Sequence, residues 1–316
     1  MKRGILGFLI IFLPLEFISG QQKSSYGNFN ESIVCKGIQR NFILHLPGNT
    51  SEFGLRPLVI ALHGGGGDAE GMVKLTKGKF DKLADKDGFI VIYPDGFEKH
   101  WNDGRKGEET GYRSQEQEVD DIGFISDLID KMIRERKADS SRVYVTGMSN
   151  GAMMSYRCGC ELSEKIAAIA PVAGNIPENL AHVCKPVRPV SVLAINNTKD
   201  PLMPYDGGEV TGPFGKKKIG KVLSAEKSIE FWVKFNGCKS EPIKSELPDK
   251  DSKDGTTIQL SIFNGGISNS EVLFYTIEGG GHTWPGGYPY LGEWIIGKTS
   301  GDMDACEVIW EFFKRH

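Results

Sequence analysis

From residue 38 onward, short apolar runs alternate with longer stretches in which apolar residues recur every three or four positions. The runs fall at Phe42–Leu46, Leu58–Leu62, Phe89–Tyr93, Val143–Thr146, Ile166–Pro171, Val190–Ile195 and Val272–Ile277. Several are continuously apolar, as strands buried on both faces of a parallel sheet must be. The clearest helical pattern covers Val119–Arg136, where Ile122, Ile125, Leu128, Ile129, Met132 and Ile133 make one face. Others cover Ala225–Phe235 and the closing run with Val308, Ile309, Phe312 and Phe313. This alternation predicts an α/β fold, a three-layer sandwich with a mostly parallel central sheet and helices on both faces. The Pro-, Gly-, Lys- and Asp-rich stretches at 204–221 and 239–256 read as surface excursions. There is no internal repeat, so one domain over 39–316 is the simplest account, preceded by an N-terminal extension at 21–38.

The first twenty residues follow a different rule. Lys2 and Arg3 precede an apolar run from Ile5 to Leu15 that ends at Ser19-Gly20, the layout of a secretory signal peptide cleaved before Gln21. Pro14 and Glu16 interrupt the run, so an uncleaved anchor is the lesser reading, and no stable membrane anchor is expected. Six cysteines (Cys35, Cys158, Cys160, Cys184, Cys238 and Cys306) suit a secreted or periplasmic protein. Cys158 and Cys160, two apart on a predicted helix, point in different directions. No C-x-x-C pair or His cluster predicts a metal. A formal charge of −3 offers no footprint for nucleic acid, and the Lys216-Lys217-Lys218 run reads as a solvated loop.

Candidate chemistry enters with Gly147-Met148-Ser149-Asn150-Gly151, a G-x-S-x-G pentapeptide. A strand-like run, Arg142–Thr146, precedes it and a helix-like run, Ala152–Tyr156, follows, which is the context a nucleophile elbow requires. Such a turn strains the serine backbone, lifts its hydroxyl above the sheet and sets it at a helix N-terminus that favours negative charge. A serine hydroxyl needs a base, and the base a carboxylate to orient it, in the chain order Ser, Asp or Glu, His. Downstream histidines are His182, His282 and His316; His282 stands in the glycine-flanked loop after the last predicted strand. For the acid, Asp200 follows the Val190–Ile195 strand, with Asp206 as its nearest rival. The oxyanion donors expected are the N–H of Asn150 and one from His63-Gly64-Gly65-Gly66-Gly67, where Gly65 is favoured within one residue. A phosphate cradle is the rival for this loop, but no G-K-[ST] follows it.

Seven blocks now stand in order: Leu62–Gly65, Tyr93–Gly96, Trp101–Arg105, Val119–Phe124, Gly147–Met154, Asp200–Tyr205 and Gly279–Gly286. Together, over about Arg40 to Phe313, the chain resembles the secreted polyhydroxybutyrate depolymerase / feruloyl esterase family (carbohydrate esterase family 1). The resemblance implies an α/β-hydrolase fold without a large cap domain, a serine esterase without metal or other cofactor, and an ester substrate as the partner. It carries the nucleophile to Ser149, the acid to Asp200 and the base to His282. It also implies a Cys160–Cys184 disulfide and leaves Cys35, Cys158, Cys238 and Cys306 without family partners. Trp101 and Trp284 are candidate substrate contacts; Asp120 and Asp121 read as helix caps. The expected substrate is a feruloyl or acetyl ester of plant polysaccharide, with polyhydroxyalkanoate the alternative; a peptidase or a non-catalytic binding protein on the same scaffold ranks lower.

Overall fold

The computed structural model describes residues 26–48, 54–105, 113–212 and 218–316. The segment read as a secretory signal, and Lys216 and Lys217 of the basic run, lie outside them. Twelve strands occur among the described residues: β1 (Gly27–Cys35), β2 (Ile38–Leu46), β3 (Arg56–Leu62), β4 (Ile90–Pro94), β5 (Ala138–Met148), β6 (Ala168–Val172), β7 (Ser191–Asn197), β8 (Gly208–Thr211), β9 (Lys218–Val222), β10 (Ile243–Glu246), β11 (Thr257–Phe263) and β12 (Val272–Glu278). Helices are α1 (Ala69–Leu75), α2 (Lys79–Asp87), α3 (Arg113–Glu116), α4 (Asp121–Arg136), α5 (Asn150–Glu161), α6 (Glu178–Val183), α7 (Ala225–Asn236), α8 (Glu293–Ile296) and α9 (Ala305–Phe313).

Ten strands form one sheet in the order β1-β2-β4-β3-β5-β6-β7-β12-β11-β10. The six inner strands, β4 to β12, run parallel, and two antiparallel strands flank them on each side. All seven apolar runs became strands of this sheet, and the fold is that of an α/β-hydrolase. β4, β6 and β7 are buried at every position, because helices cover both faces. On one face Phe124, Ile125, Leu128 and Ile129 of α4 share a core with Trp232 of α7 and Met154 of α5. On the other, Met72 of α1, Phe80 of α2 and Ile309, Trp310 and Phe313 of α9 pack together. Phe313 stacks on Tyr144 of β5 with centroids 4.7 Å apart.

Four findings depart from the sequence reading. Part of the N-terminal extension is sheet: Gly27–Cys35 pairs with β2 along its whole length, its alternate residues half-buried. The stretch at 204–221 holds the β8–β9 hairpin, and that at 239–256 holds β10, an edge strand exposed at all four positions. Asp120 does cap α4, accepting from the Gly123 N–H at 2.8 Å. Asp121 instead turns inward, fully buried, to meet Arg40 at 2.7 Å. The Cys160–Cys184 disulfide is present, with Cα atoms 5.2 Å apart, and ties the end of α5 to α6. Cys35, Cys158, Cys238 and Cys306 are free thiols.

Candidate active site

The elbow forms because two glycines permit it. Ser149, between β5 and α5, adopts φ 58° and ψ −115°, a conformation costly for any side-chain-bearing residue. Its N–H donates to Val172 O at 3.0 Å, across to the neighbouring β6. A Cβ on Gly147 would fall 2.6 Å from the Gly151 carbonyl, and one on Gly151 would collide with the carbonyls of Leu62 and His63. Chain crossing at these points is too close for any other residue. As the first residue of α5, Asn150 offers an N–H that has no acceptor in its own helix.

Asp200 lies just beyond β7 and His282 just beyond β12, neighbouring parallel strands that bring the two loops together. His282 Nδ1 and Asp200 Oδ2 are 2.6 Å apart, and both side chains are almost wholly buried. Asp200 Oδ1 accepts from the N–H groups of Leu202 and Met203, each at 2.8 Å. Those bonds fix the carboxylate in place, oriented to accept a hydrogen bond from Nδ1–H, the tautomer that leaves the Nε2 lone pair free. The other candidates stand elsewhere: Asp206 is exposed in a turn, His182 is exposed on α6, and His316 pairs with Glu271 at 3.1 Å.

The loop that carries His282 is pinned at both ends. Gly281 N donates to Lys298 O at 2.9 Å, His282 N to Ile296 O at 2.5 Å and Gly286 N to Ser300 O at 2.9 Å. Gly281 is obligatory here, since a Cβ would collide with Ile296 O. Between these ties the chain bears Tyr288, whose N–H donates to Leu75 O at 2.8 Å, together with Tyr290 and the largely exposed Trp294.

Ser149, Asn150 and His282 line one cleft of about 320 Å³, walled by the His63–Gly67 loop, Met72, Leu75, Met148, Met153, Leu202, Val210, Ile219 and Tyr290. In the glycine loop, Gly66 N donates to Lys99 O at 2.9 Å and Gly67 N to Gly64 O at 3.0 Å, so those two donors are engaged. Gly65 faces Asn150, whose Cβ would lie 3.6 Å from a Cβ placed there. Asp68 then caps α1 by accepting from Gly71 N at 2.9 Å, which puts a carboxylate where a bound phosphate would sit and disfavours the cradle reading.

His63 braces this loop as a neutral ring. Its Nδ1 donates to Gly64 O at 2.7 Å and its Nε2 accepts from the Gly96 N–H at 2.9 Å. Burial lowers its pKa, against the pull of the Gly64 carbonyl. Trp101 donates from Nε1 to His63 O at 2.9 Å and lies fully buried. Trp284 is buried too, edge-on to Phe80 with centroids 6.2 Å apart. Neither tryptophan lines the cleft, so both are corrected from substrate contacts to packing residues. Their types fitted a sugar or aromatic wall, but apolar rings beside a backbone-dense loop are drawn into the core.

The sequence reading missed the cleft wall. Val210 and Ile219 come from β8 and β9, inside a stretch read only as excursion, and they pack on Met153 of α5. The Val210 and Ile219-x-x-Val222 spacing was the available signal. Also missed was the buried Asp103–Arg105 pair, with Nη2 and Oδ2 2.8 Å apart. Among the described residues no group of acidic, His or Cys side chains is placed to hold a metal ion, and no helix is long and apolar enough to cross a membrane.

Comparison with known proteins gives a consistent result. Residues 41–201 match the family model described as esterase PHB depolymerase. NocK of Nocardia uniformis subsp. tsuyamanensis, a protein classed with the esterases, is 31% identical over 89% of this chain and 80% of its own length. Feruloyl esterase B of Piromyces equi is 31% identical over 64% of this chain, which spans only 35% of that enzyme. The bifunctional acetylxylan esterase/xylanase XynS20E of Neocallimastix patriciarum is 30% identical over 54% of this chain and 23% of its own length. Among solved structures, an acetyl xylan esterase from Aspergillus awamori superposes with a TM-score of 0.53 at 17% identity, over 81% of this chain and 94% of that one, a likeness of fold.

Proposed function

The chain belongs to the esterase PHB depolymerase family and is a carboxylic ester hydrolase, and from that premise we propose that it works through Ser149, His282 and Asp200. The carrying observation is the 2.6 Å contact between His282 and Asp200, sealed from solvent in the cleft that Ser149 enters from its strained turn. His282 Nε2 takes the Ser149 hydroxyl proton as Oγ attacks the ester carbonyl. The N–H groups of Asn150 and Gly65 receive the oxyanion, supported by the positive end of α5. His282 then gives its proton to the leaving alcohol, and water releases the acyl group from Ser149 by the same steps. Asp200 holds the ring in the Nδ1–H form and stabilises its cationic state.

The proposed substrate is a feruloyl or acetyl ester on plant polysaccharide. Its support is the apolar wall of Met153, Leu202, Val210 and Ile219, in a cleft sized for one small acyl group, and the names of the fungal relatives. Short polyhydroxyalkanoate is the second reading, favoured by the family itself and served by the same wall. Export rests on the signal read at 1–20 and agrees with the Cys160–Cys184 disulfide. Ser149→Ala is expected to abolish p-nitrophenyl acetate hydrolysis with the fold retained; activity left at the wild-type level would overturn the assignment. Initial rates on methyl ferulate, acetylated xylan and polyhydroxybutyrate, measured side by side, decide the substrate.

A further inference from the structure

Asp103 and Arg105 are both buried, at 0% and 2% exposure, although Arg105 lines the cleft. Desolvating two charges is expensive, and a buried ion pair is weak as a stability device. What this pair touches is more telling. Arg105 Nε reaches Asp103 Oδ1 and Oδ2 at 3.1 and 3.0 Å, and its Nη1 donates to Ile219 O on β9 at 2.8 Å. Asp103 Oδ2 accepts from Asn150 Nδ2 at 2.6 Å, and its Oδ1 from Gln115 Nε2 at 3.0 Å. Asn150 is also gripped by Trp101, whose N–H donates to Oδ1 at 2.8 Å and whose carbonyl accepts from Nδ2 at 3.0 Å. Gly220 keeps the hairpin flush against the arginine, since a Cβ there would lie 3.1 Å from Arg105 Cβ.

The pair therefore bridges two parts of the cleft: the β8–β9 wall, and the side chain of the residue whose backbone N–H faces the developing oxyanion. We propose that Asp103–Arg105 is a positioning unit that couples the β8–β9 wall to the Asn150 oxyanion donor. An acyl group seated against Ile219 and Val210 fixes the strand that holds the guanidinium. The guanidinium fixes Asp103, and Asp103 fixes Asn150. Only in that arrangement does the Asn150 N–H meet the tetrahedral oxygen at full strength. This inference rests on the assignment of Ser149 as nucleophile; neither Asp103 nor Arg105 touches reacting atoms.

The test is steady-state kinetics on p-nitrophenyl acetate, with active-site titration and thermal melts, for D103N/R105M, R105K and N150A. The double variant removes both charges together and leaves neither stranded. Its kcat should fall about tenfold, short of the 10²–10³ that follows outright loss of an oxyanion donor, with KM changed by less than about twofold. Affinity for a trifluoromethyl ketone, which forms an oxyanion on the serine, should fall by the same factor. N150A should show the same loss, and combining it with D103N/R105M should add little, because both cut one chain of contacts. R105K keeps the charge but not the planar fork, and a lower kcat at unchanged KM supports the proposal even if the double variant does not fold. A lowered melting temperature with wild-type kcat per titrated site, or fully additive losses, overturns it. Ser149→Ala run in parallel separates the two ideas: if that variant is dead while these keep wild-type kcat, only the positioning proposal fails.

Discussion

Ser149 carries backbone strain of about 1–3 kcal/mol for a non-glycine residue at positive φ. Ser149→Gly should therefore remove activity while raising unfolding stability by about 1 kcal/mol, seen as a higher urea midpoint with an unchanged slope. Asp200→Asn keeps the shape but offers a donor to Nδ1, so the wrong tautomer results and kcat should fall by about 10⁴-fold with KM little changed. His63 gives a pH prediction. Its pKa in the folded chain is lowered by burial, so below about pH 6.5 the unfolded chain binds a proton that the folded chain refuses. This contribution to stability is present above that pH and is lost as pH falls towards the folded pKa. Urea unfolding at pH 7.5 and 5.5 should show an acid loss that His63→Gln reduces, whatever that substitution costs at neutral pH.

At the scale of elements, the elbow depends on β5, α5 and β3 meeting without side chains between them. Gly151→Ala would drive a methyl group into the Leu62 and His63 carbonyls, and it should destabilise the protein by about 3 kcal/mol or more, read from thermal or denaturant unfolding. This junction was legible in the sequence because its requirements are local: a β-rich run, a glycine-bracketed serine, a helix. The loop-borne partners, Asp200 and His282, were legible because they follow strands whose apolar runs are unbroken. The β8–β9 wall was not, since half its residues are Gly, Lys and Glu and its alternation spans only a few positions. β1 and β10 escaped for a related reason: strands at the sheet's margins are exposed on one side or both and carry no continuous apolar run. Trp101 and Trp284 show the converse error. Residue type pointed to recognition, but depth below the surface is set by tertiary packing that no local pattern contains.

For the whole molecule, the sheet divides two cores that share little except the strands themselves, and the disulfide lies on the α4, α5 and α7 side. Cys160→Ser with Cys184→Ser should lower stability by about 3 kcal/mol through a freer unfolded chain and leave kcat near wild type, because the bond closes the far end of α5 rather than the end that bears Ser149, the proposed nucleophile. Calorimetry beside an esterase assay checks both halves. The segment from 283 to 296 leaves and returns at adjacent points, and its ties to the surrounding backbone fall beside the imidazole and at Tyr288, short of its outer arc. Lengthening, trimming or repainting its outer arc around Tyr290 and Trp294 need not disturb the contact between His282 and Asp200. Natural or laboratory variants can thus change the company the enzyme keeps at its doorway while inheriting the same reaction.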